Sequence, residues 1–231
     1  ARERHSLLSV RAARDDDGGL TLDAEGSPSL HVDRPDGPAD VSVRLSRIDR
    51  ATSAGAEADR WLSGALGAPV RLVWLDDPRR RPVSPNHGGA DGDPLTFADA
   101  GPLLLTSAAS LRQLDAWVTA EAERRGEVEP APLDMVRFRP NVVVDGELPP
   151  FAEDTWRSVR LGDVSYRVAE PCDRCVMTTL DPATAVGGKE PIRTMARYRR
   201  WEGKTWFGLR LIPTSTGQLA VADDVEVLDA A

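Results

Sequence analysis

Cysteine is scarce in this sequence: only Cys172 and Cys175 occur among 231 residues. Two cysteines are too few for a disulfide-rich scaffold, and a chain of this length can bury a core without such cross-links. No apolar run approaches the ~20 residues that a membrane-spanning helix needs, and no basic segment followed by an apolar stretch opens the chain. We therefore expect a cytoplasmic protein without a membrane span, in which both thiols stay reduced.

Histidine is almost as scarce, and none of His5, His31 and His87 is spaced from another as paired zinc ligands are. The patterns G-x-S-x-G, G-x-x-x-x-G-K-[ST] and G-x-G-x-x-G are missing as well, which argues against serine hydrolases and nucleotide-binding folds. The net charge of −8 argues against a general nucleic-acid binder.

One segment departs from this acidic balance. Between residues 191 and 210, six basic side chains accompany a single acid, Glu202. The six are Arg193, Arg197, Arg199, Arg200, Lys204 and Arg210. Two interpretations are open: a surface that receives an acidic partner, or a solvated helix face.

The patterns that are present predict a mainly β protein with a few helices, an α+β fold. Alternating apolar runs separated by Gly, Pro and Asp predict antiparallel strands in the first ~50 residues and again in the second half, including CVMTTLD and GQLAV. Helices are predicted at 55–66, ending at Gly67, then after Ser107 as N-cap, and within KEPIRTMARYRR. These elements are typical of a barrel or a twisted sheet closed by late strands.

The Pro- and Gly-rich segment 76–94 is the best candidate for a domain boundary or lid. It separates a small N-terminal β domain, 1–75, from a second domain, 95–231. The sequence enters an apolar run at once after ARERH, which suggests that it begins inside a domain.

The two cysteines lie in PCDRCVMTT, residues 171–179. A disulfide is disfavoured in a reducing compartment, and a zinc site lacks a second pair of ligands. A thioredoxin-like redox pair opens a helix, whereas the β-branched VMTTL predicts a strand. Two inert core thiols remain an open alternative.

The combination of RPN, FAEDTW, C-x-R-C and T-x-D-P, in that order, resembles the MOSC family, named for the C-terminal domain of molybdenum-cofactor sulfurases. It is most similar to the branch that holds the mitochondrial amidoxime-reducing components and their bacterial relatives. The resemblance covers 95–231 as the MOSC domain, a β-barrel. It also covers 1–75 as an N-terminally truncated β-barrel-like domain.

The resemblance implies a molybdenum cofactor, a pyranopterin with a dithiolene and a phosphate. Cys175 would be the molybdenum ligand and the catalytic residue, while Cys172 would pack beside it. Arginine suits the anionic cofactor because its planar fork donates several hydrogen bonds. The implied cofactor-binding residues are Arg2, Thr106, Ser107, Arg139, Asn141, Asp173, Arg174 and Arg210. Pyridoxal phosphate binding is a further association of the family, to which we assign no residue.

The resemblance also implies an oxidoreductase that reduces N-hydroxylated compounds by oxygen transfer to molybdenum. Two cysteines cannot hold a plant-type [2Fe–2S] cluster, which needs four, so the electrons would come from a separate ferredoxin-like or cytochrome b5-like protein. The basic segment near 193–210 would be one docking surface for it. The alternatives are a carrier of the cofactor or of sulfur without turnover, and a degenerate barrel without cofactor.

The sequence departs from the family pattern at three points. A segment ahead of Arg2, which carries a Lys-Ser pair in relatives, is missing. Ala185 and Ala222 stand where relatives have glycine in D-P-x-T-G and G-D-x-V. Alanine is tolerated there if φ is negative. The loop 76–94 is expected near the site entrance.

Overall fold

A computed structural model describes residues 5–45 and 48–231. The chain forms two compact units: the first runs to Pro82 and includes Ala183–Ala185, and the second comprises Val83–Pro182 and Val186–Ala231. The division falls inside the 76–94 segment, and the two predicted domains stay a prediction.

The first unit contains two three-stranded antiparallel sheets, ordered β1-β2-β3 and β4-β5-β6, and one helix, α1. Its elements are β1 (Arg11–Arg14), β2 (Leu20–Asp23), β3 (Leu30–Val32), β4 (Val41–Leu45), β5 (Ile48–Ser53), α1 (Ala56–Leu66) and β6 (Val73–Trp74). Leu22 and Val32 of the first sheet bury against Ala58 and Leu62 of α1. Gly67 ends α1 in the left-handed conformation, at φ 63°, which glycine adopts without steric cost.

The second unit is built on a seven-stranded sheet that curls into a half-barrel. Six strands follow the order β13-β9-β10-β12-β7-β8, and β11 pairs with β12; only the β7–β8 pair is parallel. The elements are β7 (Leu103–Ser107), α2 (Ala108–Arg124), β8 (Val142–Val144), β9 (Trp156–Leu161), β10 (Val164–Asp173), α3 (Ile192–Tyr198), β11 (Arg200–Trp201), β12 (Lys204–Pro213) and β13 (Val225–Ala230).

The two larger of the three buried apolar clusters in the second unit surround its sheet and its helices. One lies on the sheet, where Leu105, Val159 and Leu211 are fully buried. The other lies under the helices, where Leu114 and Val118 of α2 meet other buried apolar residues, namely Phe138, Met195 and Phe207. The burial of Leu114 and Val118 follows from helical spacing, because positions four apart share one face.

The predicted fold class is confirmed: the chain is mostly β, with three α-helices among the described residues. Two predicted strands are wrong. VMTT after Cys175 forms a 3-10 turn, Val176–Thr179, because the hydroxyls of Thr178 and Thr179 donate back to the carbonyls of Cys175 and Val176. GQLAV, residues 217–221, pairs with no strand in the described chain and lies exposed, so its alternation reflects no buried face.

Among the described residues, no helix combines the length and apolar character needed to cross a membrane.

Candidate functional site

The predicted site residues of the second unit gather around three neighbouring strands. β10 carries the cysteine segment at its end, β12 pairs with β10, and β7 pairs with β12. A 3-10 turn, Met135–Phe138, precedes the RPN segment. Arg2 lies outside the described residues.

The two thiols differ in their surroundings, and neither forms a disulfide. Cys172 lies within β10 and is 7% exposed, and burial raises the pKa of its thiol. Cys175 lies just after β10, at the start of the 3-10 turn, and is partly exposed. Because a metal ligand must be both reachable and deprotonated, the geometry favours Cys175 over Cys172.

Arg174 is anchored by the backbone of two neighbouring elements. Its Nε donates to the carbonyl of Phe207 at 2.8 Å and its Nη1 donates to the carbonyl of Phe138 at 3.1 Å. Its guanidinium carbon lies 5.4 Å from the centre of the Phe138 ring. Burial lowers the pKa of Arg174. Its Nη2 is buried and has no hydrogen-bond partner among the described residues, which is costly for a charged group.

The space beside this nitrogen is kept by a glycine. Gly208 has φ 79°, and a Cβ at this position would lie 2.5 Å from the carbonyl oxygen of Leu105 and 3.5 Å from Nη2 of Arg174. The same Cβ would lie 2.8 Å from Cγ2 of Thr106. Any other residue at position 208 would therefore fill the space next to the unpartnered nitrogen and clash with β7.

Thr106 and Ser107 are both buried at the end of β7. The hydroxyl of Thr106 lies 3.3 Å from Sδ of Met135, a weak acceptor. Ser107 is the N-cap of α2, where its hydroxyl accepts from the amide of Ser110, as predicted. Ser107 thus already has a structural role, and its contact with a cofactor stays a prediction.

The two polar side chains of the RPN segment differ: among the described residues that of Arg139 has no partner, whereas that of Asn141 is hydrogen-bonded to β7. Arg139 has φ 53° and is exposed, and within residues 5–45 and 48–231 its guanidinium forms no hydrogen bond or ion pair. The side-chain oxygen of Asn141 accepts from the amide of Leu104, and the amide of Asn141 donates to the Leu104 carbonyl, both at 2.9 Å. Asn141 therefore fixes this segment on β7 and leaves Arg139 available for a ligand.

Arg210 is held by two carboxylates. Its Nη1 donates to Glu170 at 2.5 Å and its Nη2 donates to Asp173 at 2.7 Å. Burial opposes the charged form, but the surrounding negative groups outweigh it and raise the pKa of Arg210. Burial likewise acts to raise the pKa of Asp173, and the hydrogen bond from Arg210 overcomes it and lowers that pKa.

Three polar residues with specific contacts were not predicted as site residues: His87, Glu153 and Glu170. Glu170 also binds Nδ1 of His87 at 2.7 Å, and Glu153 is buried with one oxygen on the hydroxyl of Ser110. The alternating pattern of β10 predicted a strand, but a contact between His87 and Glu170, which are 83 residues apart, leaves no local pattern in the sequence. No feature of the sequence pointed to these contacts.

The basic segment near 193–210 is largely neutralised by acids from other elements. Arg193 pairs with Glu127 and Glu190. Three further residues of the segment also form ion pairs: Arg197 with Glu121, Arg199 with Asp154, and Arg210 with Glu170 and Asp173. In the part of the chain that the structure describes, only Arg200 and Lys204 of the six lack an ion pair. The contacts favour a paired, solvated surface over an exposed cationic one.

Comparison with known proteins places this chain in a family. The family model of the MOSC domain matches residues 92–226. The chain belongs to the MOSC family. Human mitochondrial amidoxime-reducing component 1 is 30% identical over 99% of the chain and 68% of its own length, and its mouse counterpart is 32% identical with the same coverage. Rice molybdenum cofactor sulfurase is 34% identical over 75% of the chain but only 22% of its own length. The MOSC chain thus spans about two thirds of the first two relatives and about a fifth of the third.

Three observations fit a metal-bearing anionic cofactor at the MOSC site. The thiol of Cys175 is partly exposed, and a thiolate suits a soft metal. The Nη2 of Arg174 is buried beside the space that Gly208 keeps, without a partner among the described residues. Arg139 offers a further guanidinium that is unpaired within residues 5–45 and 48–231. Together these groups supply one soft ligand and two cations.

Proposed function

We propose that this MOSC protein is a molybdenum-cofactor-dependent oxidoreductase that reduces N-hydroxylated compounds. The observation that carries the proposal is the partly exposed thiol of Cys175, next in sequence to an arginine whose buried Nη2 has no partner in the described chain. When bound, the molybdenum cofactor would supply the two-electron, oxygen-accepting chemistry that cleaves the N–O bond. The similarity to amidoxime-reducing components supports this substrate class.

The protein's own residues have separate roles in this proposal. The Cys175 thiolate holds the metal, because soft thiolates bind such centres well. Arg174 and Arg139 hold the anionic part of the cofactor through charge-assisted hydrogen bonds. Thr106 and Asn141 shape the β7 side of the site. Cys172, buried in β10, donates to the carbonyl of Asp173 at 3.6 Å and has a packing role.

Electrons would reach the site from a donor outside these 231 residues, because two cysteines cannot hold a plant-type [2Fe–2S] cluster, which needs four. We propose a separate ferredoxin-like or cytochrome b5-like protein. The basic segment gives this interaction little charge, since four of its six cations are already paired. The affinity for the electron donor is therefore expected to depend weakly on ionic strength.

A second function is favoured by the similarity to the rice sulfurase. In this alternative the protein carries the cofactor, or a persulfide on Cys175, without turnover. The same exposed thiol would serve either role, so the geometry of the site alone does not separate them.

One experiment distinguishes the two functions. The protein is produced in a host that makes molybdenum cofactor and, as the control, in a host that cannot. Molybdenum and pterin are quantified, and reduction of an amidoxime is followed with a chemical electron donor. About one molybdenum per chain with amidoxime reduction supports the enzyme. Bound pterin without reduction supports the cofactor carrier, and absence of both metal and pterin contradicts the enzyme and the cofactor carrier.

A further inference from the structure

The end of β10 that presents Cys175 is irregular, so its position needs support from side chains. The pairing of β10 with β12 shifts register between Val168 and Glu170 and again between Pro171 and Asp173. A β-bulge of this kind interrupts the backbone hydrogen bonds that would otherwise fix the strand. Cys175 follows two residues after the second irregularity.

Arg210 bridges this interruption. One terminal nitrogen binds Glu170, before the second register shift, and the other binds Asp173, after it. Its side chain is only 12% exposed. The stem is confined as well, because a Cβ on Gly101 would lie 3.0 Å from Cβ of Arg210. The guanidinium is therefore confined, and in the observed orientation it joins the two sides of the bulge.

His87 contacts the same carboxylate of Glu170 that binds Arg210. Its Nδ1 lies 2.7 Å from the same Oε1 that accepts from Arg210. The loop that carries His87 is attached to β10 by other contacts: Nη1 of Arg167 donates to the carbonyl of Gly88 at 2.7 Å, and a Cβ on Gly88 would lie 2.7 Å from the carbonyl oxygen of Ala169. A substitution of His87 therefore removes its contact with Glu170 while the loop remains in place.

We propose that His87, Glu170 and Arg210 are positioning residues that form a strut, His87–Glu170–Arg210–Asp173, which sets the position of Cys175. Arg210 acts through two carboxylates and not by touching the cofactor, unlike the role that the family resemblance implied for it. The consequence for cofactor binding rests on the proposed function, whereas the effect on Cys175 itself does not.

The decisive variants are Glu170→Gln and Arg210→Lys. Lysine keeps the charge of Arg210, but its single ammonium cannot reproduce a two-armed fork. Glutamine at position 170 keeps an acceptor oxygen but loses the charge that strengthens both hydrogen bonds. A strut is therefore weakened in both variants, whereas a cation needed only for its charge survives in Arg210→Lys. Supporting residues around a metal ligand typically change affinity about 10-fold or more when removed, so both variants should lose molybdenum on dialysis about 10-fold faster than wild type. His87→Ala should shift the rate in the same direction, and its effect should be smaller in Glu170→Gln than in wild type.

A second measurement needs no cofactor. In cofactor-free protein, the alkylation rate of Cys175 is followed by mass spectrometry, with buried Cys172 as the internal reference. Loss of the strut should raise this rate several-fold in Glu170→Gln and Arg210→Lys. His31→Ala is the matched control, because His31 also binds carboxylates but lies in the first unit. In this control the rate of molybdenum loss and the alkylation rate of Cys175 should both stay at wild-type values.

The two measurements separate the two proposals. Wild-type molybdenum retention and alkylation rates in both decisive variants would overturn the strut and leave the proposed function intact. Wild-type behaviour in Arg210→Lys alone would overturn it too, since charge would then suffice. If the wild-type protein binds no molybdenum, the proposed function fails and the alkylation rate decides the strut by itself: a rise supports it and an unchanged rate refutes it.

Discussion

Arg174 donates from Nε to the carbonyl oxygen of Phe207 at 2.8 Å, and this bond ties the residue before Cys175 to the neighbouring strand β12. The amide of Arg174 also donates to the carbonyl of Thr205, on the same strand. The segment C-x-R-C therefore uses its arginine first to secure the backbone. Nη2 has no partner among the described residues, so in the proposed function Arg174 is both a structural and a binding residue.

Arg174→Gln and Arg139→Gln should separate these two roles. Arg174→Gln leaves the carbonyls of Phe207 and Phe138 without their donors, so the free energy of unfolding of the cofactor-free protein should fall by about 2 kcal/mol or more. Arg139 is exposed and unpaired in the described chain, so Arg139→Gln should change that free energy by less than about 0.5 kcal/mol. Both should lower the molybdenum-to-protein ratio. Urea unfolding and metal analysis measure the two effects, and normal metal content in Arg139→Gln would remove Arg139 from the site.

Replacing each cysteine in turn tests which thiol is the ligand. Cys175→Ala should abolish molybdenum binding and amidoxime reduction, because no other thiol near the surface takes its place. Cys172→Ala should keep both and lose about 1 kcal/mol of stability, since it removes a buried sulfur. Metal content and activity are measured on the two variants side by side. Loss of the metal in Cys172→Ala with retention in Cys175→Ala would reverse the assignment.

The sequence predicted what depends on local pattern and missed what depends on distant contact. The helix after Ser107 was predicted, with Ser107 as its cap, because N-cap chemistry is local. The 3-10 turn after Cys175 was missed because β-branched residues favour strands, while the hydroxyl of Thr178 favours a turn when it can bond the backbone. The pairing of Glu170 with His87 needs the tertiary fold and could not be read from either segment.

Two alanines in the left-handed conformation are predicted to be strained. Ala185 has φ 56° and Ala222 has φ 73°. Alanine was expected to be tolerated at these two positions only if φ is negative, and both values are positive. The left-handed region costs a residue with a Cβ roughly 1–2 kcal/mol, whereas the added flexibility of glycine in the unfolded chain costs about 0.4–1 kcal/mol. Ala222→Gly and Ala185→Gly should therefore each stabilise the protein by up to about 1 kcal/mol.

Urea unfolding of the two glycine variants measures this gain. Ala220→Gly is the matched control, because Ala220 does not have a positive φ. This variant only adds the flexibility of glycine to the unfolded chain, so its free energy of unfolding should fall by about 0.5 kcal/mol. Equal losses in all three variants would show that neither alanine is strained.

Glu153 should make stability depend on pH. It is 1% exposed, its Oε1 accepts from the hydroxyl of Ser110 at 2.6 Å, and its Oε2 has no partner in the described chain. Burial raises the pKa of Glu153 above its ordinary value of 4.5, which the Ser110 hydrogen bond only partly offsets. The folded protein thus binds this proton more tightly than the unfolded chain does. The stabilisation is complete below pH 4.5 and is lost as the pH rises through the folded pKa.

Glu153→Gln cannot ionise, so its stability relative to wild type should increase with pH above 4.5. Between the unfolded and the folded pKa the difference should grow by up to about 1.4 kcal/mol per pH unit. Urea unfolding at several pH values from 4 to 8 measures it. Ser110→Ala should extend the dependence to higher pH, because it removes the hydrogen bond that lowers the pKa of Glu153. A difference between Glu153→Gln and wild type that stays constant with pH would show that Glu153 is ionised to the same extent in the folded and unfolded protein.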